Sequence, residues 1–211
     1  DYAWTELKKL SPDLIDEHYY MPPEWFLQNA ERYDSYDRKG IKVFAGEYAA
    51  HGKEGTASES RNTWISALSE AAFMTGLERN AEVVHMASYA PLLAHVDAWQ
   101  WRPDLIWFDN LNVMGSPNYY VQKMFSTHRG THVVPALSNG KPLTGKDSLY
   151  VSSTIDRKNG KLYVKIVNSS RSAKPARFTL EEFNPAREAG IETLRSDDPF
   201  SYNSMANPKL I

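Results

Sequence analysis

The sequence has 211 residues, 42% hydrophobic and 24% charged, which suits one large or two small folded domains and excludes disorder as the dominant state. Formal net charge is −2 with no block of Lys or Arg, so nucleic-acid affinity has no electrostatic source, and no apolar run reaches membrane-spanning length; neither nucleic acid nor membrane is an expected partner. Cysteine is absent, which excludes disulfides, thiolate metal sites and a cysteine nucleophile.

From the start of the chain to about Thr127, apolar runs of strand length alternate with stretches of helical period. No signal peptide precedes the first element, and Asp1 opens inside what reads as ordered structure, so the true N-terminus is expected elsewhere. PDLIDEHYY (12–20) is a short strand candidate, and EWFLQNAERYDSYDR (24–38) reads as a helix stopped near Gly40. IKVFAGEYA (41–49) is the next strand, followed by a loop rich in Gly, Ser and Lys. From Ser60 to Asn80, the spacing of Trp64, Leu68, Ala71, Ala72 and Leu77 predicts a long amphipathic helix. AEVVHMASYAPLL (81–93) is a third strand, running into the loop AHVDAWQWRPDLIWFDN (94–110). Pro117 then suits the first turn of a helix through NYYVQKMFS.

Strand and helix in strict alternation imply parallel strands with helical crossovers, an α/β architecture. Beyond Gly130 the pattern changes. THVVPAL, SLYVSSTID, KLYVKIVNSS, ARFTLEEF and GIETLRSD are short, β-branched and separated by turn signals such as Lys158-Asn159-Gly160. Leu162, Val164 and Ile166 alternate with Tyr163, Lys165 and Val167, and the first set is expected to form a buried face. The expected division is therefore 1–130 and 131–211, the second part an antiparallel β domain.

In parallel α/β folds, active sites collect at the carboxyl ends of strands, where loops converge on one face. Each strand candidate carries distinctive chemistry there: His18, Tyr19 and Tyr20; Glu47 and Tyr48; Ser88 and Tyr89. Glu47 is the leading candidate for a catalytic carboxylate, because glycoside hydrolysis requires two carboxyl groups, one to protonate the leaving oxygen and one to attack the anomeric carbon or activate water. A hydrogen bond from a neighbour such as Tyr20 would favour its ionised form. Six Trp and twelve Tyr supply flat apolar faces on which sugar rings can stack.

The stretches DEHYYMPPEWF, KVFAGEYAAHG, ALSEAAFMTGLERNAEVVHMASYAPLL, WRPDLIWFDN and SPNYYVQKMFS together resemble the C-terminal half of an α-L-arabinofuranosidase of glycoside hydrolase family 51. The resemblance implies a partial (β/α)8 TIM barrel carrying its sixth, seventh and eighth strands, then an antiparallel β-sandwich domain, truncated here after NPKLI. It implies retaining hydrolysis of terminal arabinofuranose from arabinan and arabinoxylan. Glu47, in Gly-Glu-Tyr-Ala, matches the nucleophile; His18 and Tyr20 match the His-x-Tyr whose tyrosine orients it. Pro91 stands near where some members have a sugar-contacting glutamine.

One departure is larger. The family's acid/base is the glutamate of an Asn-Glu pair, and no Asn-Glu occurs in these 211 residues. Residues 1–127 make up about half of the roughly 250 that a barrel takes. The expected partner is thus the missing N-terminal half of the barrel, and the chain alone is expected to be inactive, with unpaired strand edges. An arabinose-containing polysaccharide or oligosaccharide is the expected substrate. The resemblance also implies a secreted or periplasmic full-length protein and makes homo-oligomerisation a candidate property.

Other constellations have plainer readings. Asp16, Glu17, His18 and His85 are metal-ligand types, yet strand alternation points Glu17 away from its neighbours and His18 and His85 lack the i, i+4 spacing of a helical zinc site; no metal or other cofactor is expected. Glu70 and Glu78 read as helix-surface and capping residues. Trp99, Trp101 and Trp107 share one loop; Trp99 and Trp101 are candidate sugar platforms and Tyr19 a further substrate-binding candidate. Ser88 and Ser58 have no triad partners. Asn168 opens an Asn-Ser-Ser sequon. The rival reading is a non-catalytic carbohydrate-binding or interaction module, which would have no need of a carboxylate at residue 47.

Overall fold

The computed structural model describes residues 2–53, 55 and 57–211; Asp1, and Glu54 and Thr56 of the expected loop, lie outside the described residues. A short helix α1 (Tyr2–Lys8) precedes β1 (Leu14–Met21), α2 (Pro23–Gln28), β2 (Lys42–Ala50), α3 (Trp64–Arg79) and β3 (Val84–Tyr89). β1, β2 and β3 form a parallel sheet with β2 in the middle. The chain after α2 and the helix α3 are the crossovers.

α1 was not foreseen. It is held from below: Trp4 Nε1 donates to the Glu17 carboxylate at 2.6 Å, and its ring meets Tyr36 edge-on. Tyr19, Tyr33, Tyr36 and Arg32 also reach Glu17, with Tyr33 at 2.7 Å. Burial by itself would raise the Glu17 pKa, but these donors outweigh it and hold the carboxyl below its ordinary value. The same network accounts for α2 being shorter than expected. The chain leaves the helix at Asn29, whose side chain caps the Trp25 carbonyl, and makes a 3₁₀ turn over Arg32–Ser35 that brings Tyr33 and Arg32 onto Glu17. It passes α3 closely at Gly76, where a Cβ would stand 2.0 Å from the Ala30 carbonyl oxygen.

α3 lies within the expected span of 60–80 but starts later, at Trp64, and is not amphipathic. Every residue from Ser69 to Leu77 is buried, because the parallel sheet, α2, a later helix and a later sheet enclose the helix. Its buried hydroxyls are satisfied locally: Ser66, Ser69 and Thr75 each donate to the carbonyl three residues back. The first amides of α3 donate to the chain terminus, Trp64 N–H to Ser201 O at 2.7 Å and Ile65 N–H to Pro199 O at 2.8 Å.

The stretch read as loop after β3 contains β4 (Leu93–His95), β5 (Ile106–Phe108) and β6 (Val113–Gly115), a small mixed sheet. Helix α4 (Pro117–Thr127) starts as predicted, with Pro117 in its first turn and Ser116 Oγ accepting the Tyr119 N–H. Then follow β7 (His132–Val134), a hairpin of β8 (Leu137–Ser138) and β9 (Lys141–Pro142) turning at Asn139-Gly140, and β10 (Leu149–Asp156) with β11 (Lys161–Asn168). Asn139 and Gly140 both have positive φ, as a tight two-residue hairpin demands. β11, β10 and β7 form an antiparallel sheet, and Gly160 turns the chain at φ +62°.

Two expectations for this part fail. ARFTLEEF and GIETLRSD form no strand; residues 176–183 and 190–197 lie without regular structure. On β11 the buried face is the opposite one. Val164 and Ile166 face outward, while Val167 is buried and Lys165 Nζ meets Glu78 at 2.5 Å. Alternation defines two faces but not which one meets a neighbour; here the ion pair to α3 and the buried Lys165 stem decide it. The sheet packs directly on α3, and one hydrophobic core runs from Tyr19, Phe26, Val43 and Phe73 to Tyr150 and Val167.

Candidate active site

Strand alternation on β1 divides its side chains between two surroundings. Ile15, Glu17 and Tyr19 turn into the core, and Asp16, His18 and Tyr20 turn to the open face of the sheet. On β2, alternation counted from Phe44, the partner of Asp16, would set Gly46 opposite His18. A bulge prevents this: between Phe44 and Tyr48, β2 carries one residue more than either neighbour, and His18 pairs with Glu47. The extra residue turns the Glu47 carboxylate onto the face that holds His18 and Tyr20.

The resulting contacts are short and one-sided. Tyr20 donates its hydroxyl to Glu47 Oε2 at 2.5 Å, and His18 Nδ1 stands 3.6 Å from the same oxygen. Both fall on Oε2, which leaves Oε1 clear of them. Burial and the bonded carboxylate raise the Tyr20 pKa, so Tyr20 remains a phenol that donates. The other ring nitrogen, His18 Nε2, meets Asp16 Oδ2 at 2.8 Å. Asp16 Oδ1 accepts the Gly46 N–H at 3.1 Å, and Ser88 Oγ donates to the Gly46 carbonyl at 2.5 Å. With its side chain 43% exposed, Glu47 is open to a ligand from the unoccupied side of the sheet. A carboxylate with one oxygen anchored by a phenol and the other free is set up for nucleophilic or electrostatic work at an electron-poor carbon.

Residues 46–211, beginning one residue before Glu47, match the family model described as the α-L-arabinofuranosidase C-terminal domain. The chain belongs to that family. An extracellular exo-α-L-arabinofuranosidase of Streptomyces chartreusis is 55% identical over 142 residues, 67% of this chain and 16% of that protein. Alpha-L-arabinofuranosidase 1 of Arabidopsis thaliana is 32% identical over 206 residues, 94% of this chain and 29% of that protein. The chain thus spans less than a third of the length of these curated relatives. Among solved structures, the arabinose-bound MgGH51 α-L-arabinofuranosidase superposes with a TM-score of 0.67 at 41% identity, over 77% of this chain and 27% of that one. The arabinose complex of the Thermotoga maritima α-L-arabinofuranosidase also gives 0.67, at 15% identity over 94% of this chain and 46% of that one; that likeness is one of fold.

This arabinofuranosidase-family chain does not bring every expected residue to Glu47. Tyr19 is a correction. It lies on the buried face of β1, 7% exposed, stacked on Trp25 and bonded to Glu17, and strand alternation keeps it from any ligand beside Tyr20. Trp107 is likewise no loop residue; it is fully buried on β5 and donates to Asn62 Oδ1. Trp99 and Trp101 are exposed on the segment between β4 and β5, where the Arg102 guanidinium lies 4.2 Å from the Trp99 ring centroid. Asp16 had entered the sequence reading only as a metal-ligand type; its i, i+2 spacing to His18 on a strand was the available signal. Among the described residues no group of three or more His, Asp or Glu is arranged to hold a metal ion.

A second carboxyl group lies beneath the strand end. Glu70, read from the sequence as a surface residue, is fully buried on α3, where its Oε1 accepts the Ala50 N–H at 2.7 Å. Burial pushes its carboxyl up to about 8, against the smaller pulls of the Ala50 N–H and the Asn118 side chain. The folded chain therefore holds this proton more tightly than the unfolded chain does. Stability from this group is fully present below its ordinary value of 4.5 and is lost as pH rises through about 8. Glu70→Gln keeps the acceptor for Ala50 and removes the charge. Urea midpoints measured between about pH 6 and about pH 9 should fall less steeply in this variant, with a difference on the order of several kcal/mol at the alkaline end. Parallel profiles would contradict the assignment.

Proposed function

We propose that this chain carries the nucleophile half of a retaining α-L-arabinofuranosidase that removes terminal non-reducing α-L-arabinofuranosyl residues from arabinan or arabinoxylan. The observation that carries the reading is the Glu47 carboxylate on the open face of a parallel sheet, with Oε2 fixed by Tyr20 and His18 and Oε1 left clear. In the first step, Oε1 attacks the anomeric carbon and forms a glycosyl ester while the leaving oxygen takes a proton. In the second, water displaces Glu47 and returns the sugar with its configuration retained. Tyr20 holds the carboxylate through both steps, and His18 flanks it.

The proton donor is a second carboxyl group from polypeptide outside these residues. Asp16 is not a candidate, since one oxygen accepts from Gly46 and the other meets His18; no Asn-Glu pair occurs in the sequence. In this reading the three parallel strands are the last three of a (β/α)8 barrel whose C-terminal part spans residues 1–130. Residues 131–211 belong to a β-sandwich, and the outward Val164 and Ile166 belong to its interior. Each outer strand, β1 and β3, has one neighbour in the sheet, which is where the remaining strands would add. The extracellular Streptomyces relative supports secretion of the complete protein.

The test is reconstitution. This chain, combined with polypeptide supplying the other strands and the acid/base, should release 4-nitrophenol from its α-L-arabinofuranoside, and proton NMR should show the β-to-α ratio of a retained first-formed sugar. On an arabino-oligosaccharide, whose leaving oxygen needs a proton as 4-nitrophenolate does not, the chain alone should turn over at least about 10²-fold more slowly, the lower end of what a general acid contributes. An inverted product, or full activity in the isolated chain, would overturn the reading.

A further inference from the structure

The bulge that turns Glu47 toward His18 also fixes how residue 47 is held. At that point both backbone polar groups of Gly46 are held by side chains of the flanking strands: its N–H donates to Asp16 Oδ1 on β1 at 3.1 Å, and its C=O accepts from Ser88 Oγ on β3 at 2.5 Å. Residue 46 must be glycine for this, since a Cβ would stand 2.2 Å from Asp16 Oδ1. The second oxygen of Asp16 takes His18 Nε2 at 2.8 Å, and the far side of that ring faces Glu47 Oε2.

We propose that Asp16 and Ser88 are positioning residues for the Glu47 carboxylate: from the two flanking strands they clamp the backbone N–H and C=O of Gly46, and Asp16 also fixes the His18 ring. The inference rests on the reading of Glu47 as nucleophile and adds how that carboxylate is aimed. Strand side chains alternate, so a bulge that relaxed by one residue would send residue 47 to the other face of the sheet. Glu47 is half exposed, and packing alone does not hold it. The Gly46 N–H belongs to the Ala45–Gly46 peptide and the Gly46 C=O to the Gly46–Glu47 peptide, so the two bonds fix the successive peptide planes that lead into the Glu47 Cα and thereby the direction of its side chain. Neither Asp16 nor Ser88 bonds the Glu47 carboxylate; both act through the backbone and, for Asp16, through the imidazole.

The experiment uses the reconstituted enzyme and counts active sites by stoichiometric covalent labelling with an arabinofuranosyl inactivator, so that turnover is expressed per labelled site. Misplacement on the ångström scale costs about 10²-fold in rate, so Asp16→Ala should lower kcat per labelled site by about 10²-fold and Ser88→Ala by about 10-fold, with KM within about 3-fold; Ser88→Thr, which keeps the hydroxyl, should recover to within about 3-fold. A purely structural role would reduce the number of labelled sites and the melting temperature while leaving turnover per site intact, and that outcome overturns the proposal. If Asp16→Ala does not fold, the Ser88→Ala and Ser88→Thr pair decides from the other side of Gly46. Glu47→Gln is the control on the underlying reading: if it retains turnover, the nucleophile assignment fails; if it is inactive while Asp16→Ala and Ser88→Ala match the unsubstituted protein, only the clamp is wrong.

Discussion

Glu47→Gln in the reconstituted enzyme is expected to lower turnover of an arabinofuranoside by roughly 10⁴- to 10⁶-fold, the range seen when an enzyme loses a member of its nucleophilic machinery. The substitution is nearly isosteric. The amide oxygen can still accept from Tyr20, and a side chain 43% exposed contributes little packing, so the melting temperature should stay close to that of the unsubstituted protein. What is lost is the negative charge and the lone pair that forms the glycosyl ester. A good leaving group such as 4-nitrophenol would not restore the rate, because the missing step is attack and not protonation. Turnover within tenfold of the parent would remove Glu47 from the mechanism, whatever happens to Asp16 and Ser88.

Phe73→Ala should have the largest effect on stability. Phe73 sits 1% exposed near the middle of α3, with its ring 5.3 Å from Phe26 at right angles, 5.7 Å from Tyr19, 5.8 Å from Trp25 and 6.1 Å from Tyr48. These rings come from β1, α2 and β2, so one side chain joins the helix to the sheet behind Glu47. Truncating a buried phenylalanine costs about 3–5 kcal/mol, a large part of the 5–15 kcal/mol by which domains are stable. The urea midpoint should fall accordingly, and Phe73→Leu, which fills most of the space, should lose less than half as much. A loss below about 1 kcal/mol would mean that the surrounding rings collapse into the space.

These two residues differ in how readable they were. Glu47 was found by position, as a carboxylate following an apolar run in an alternating strand and helix pattern, and the family match begins one residue before it. Phe73 was not among the residues expected to face the core, because the spacing of Trp64, Leu68, Ala71, Ala72 and Leu77 marks one stripe of α3, whereas the helix is covered on every side. A helix enclosed by two sheets and two helices has no polar face to register in its period, and its serines and threonine are masked by bonds to their own turns. Glu70 was misjudged for the same reason: a carboxyl on a helix reads as solvated until its neighbours are known.

The sequence by itself determined the alternation of β1, β2 and β3 with helices, the parallel arrangement that follows from strands and crossovers, the start of α4 at Pro117, the hairpin glycine at residue 160, and the family to which the chain belongs. These follow from local chemistry, which is fixed once neighbours in the chain are fixed. Only the tertiary structure decided which face of each element meets what. It placed Tyr19 in the core and Tyr20 on Glu47, turned Val164 and Ile166 outward, and put one extra residue into β2 so that Glu47 stands opposite His18 in place of Gly46. The period of a strand defines two faces without naming them, and a single inserted residue exchanges them. The choice belongs to contacts between residues far apart in the chain.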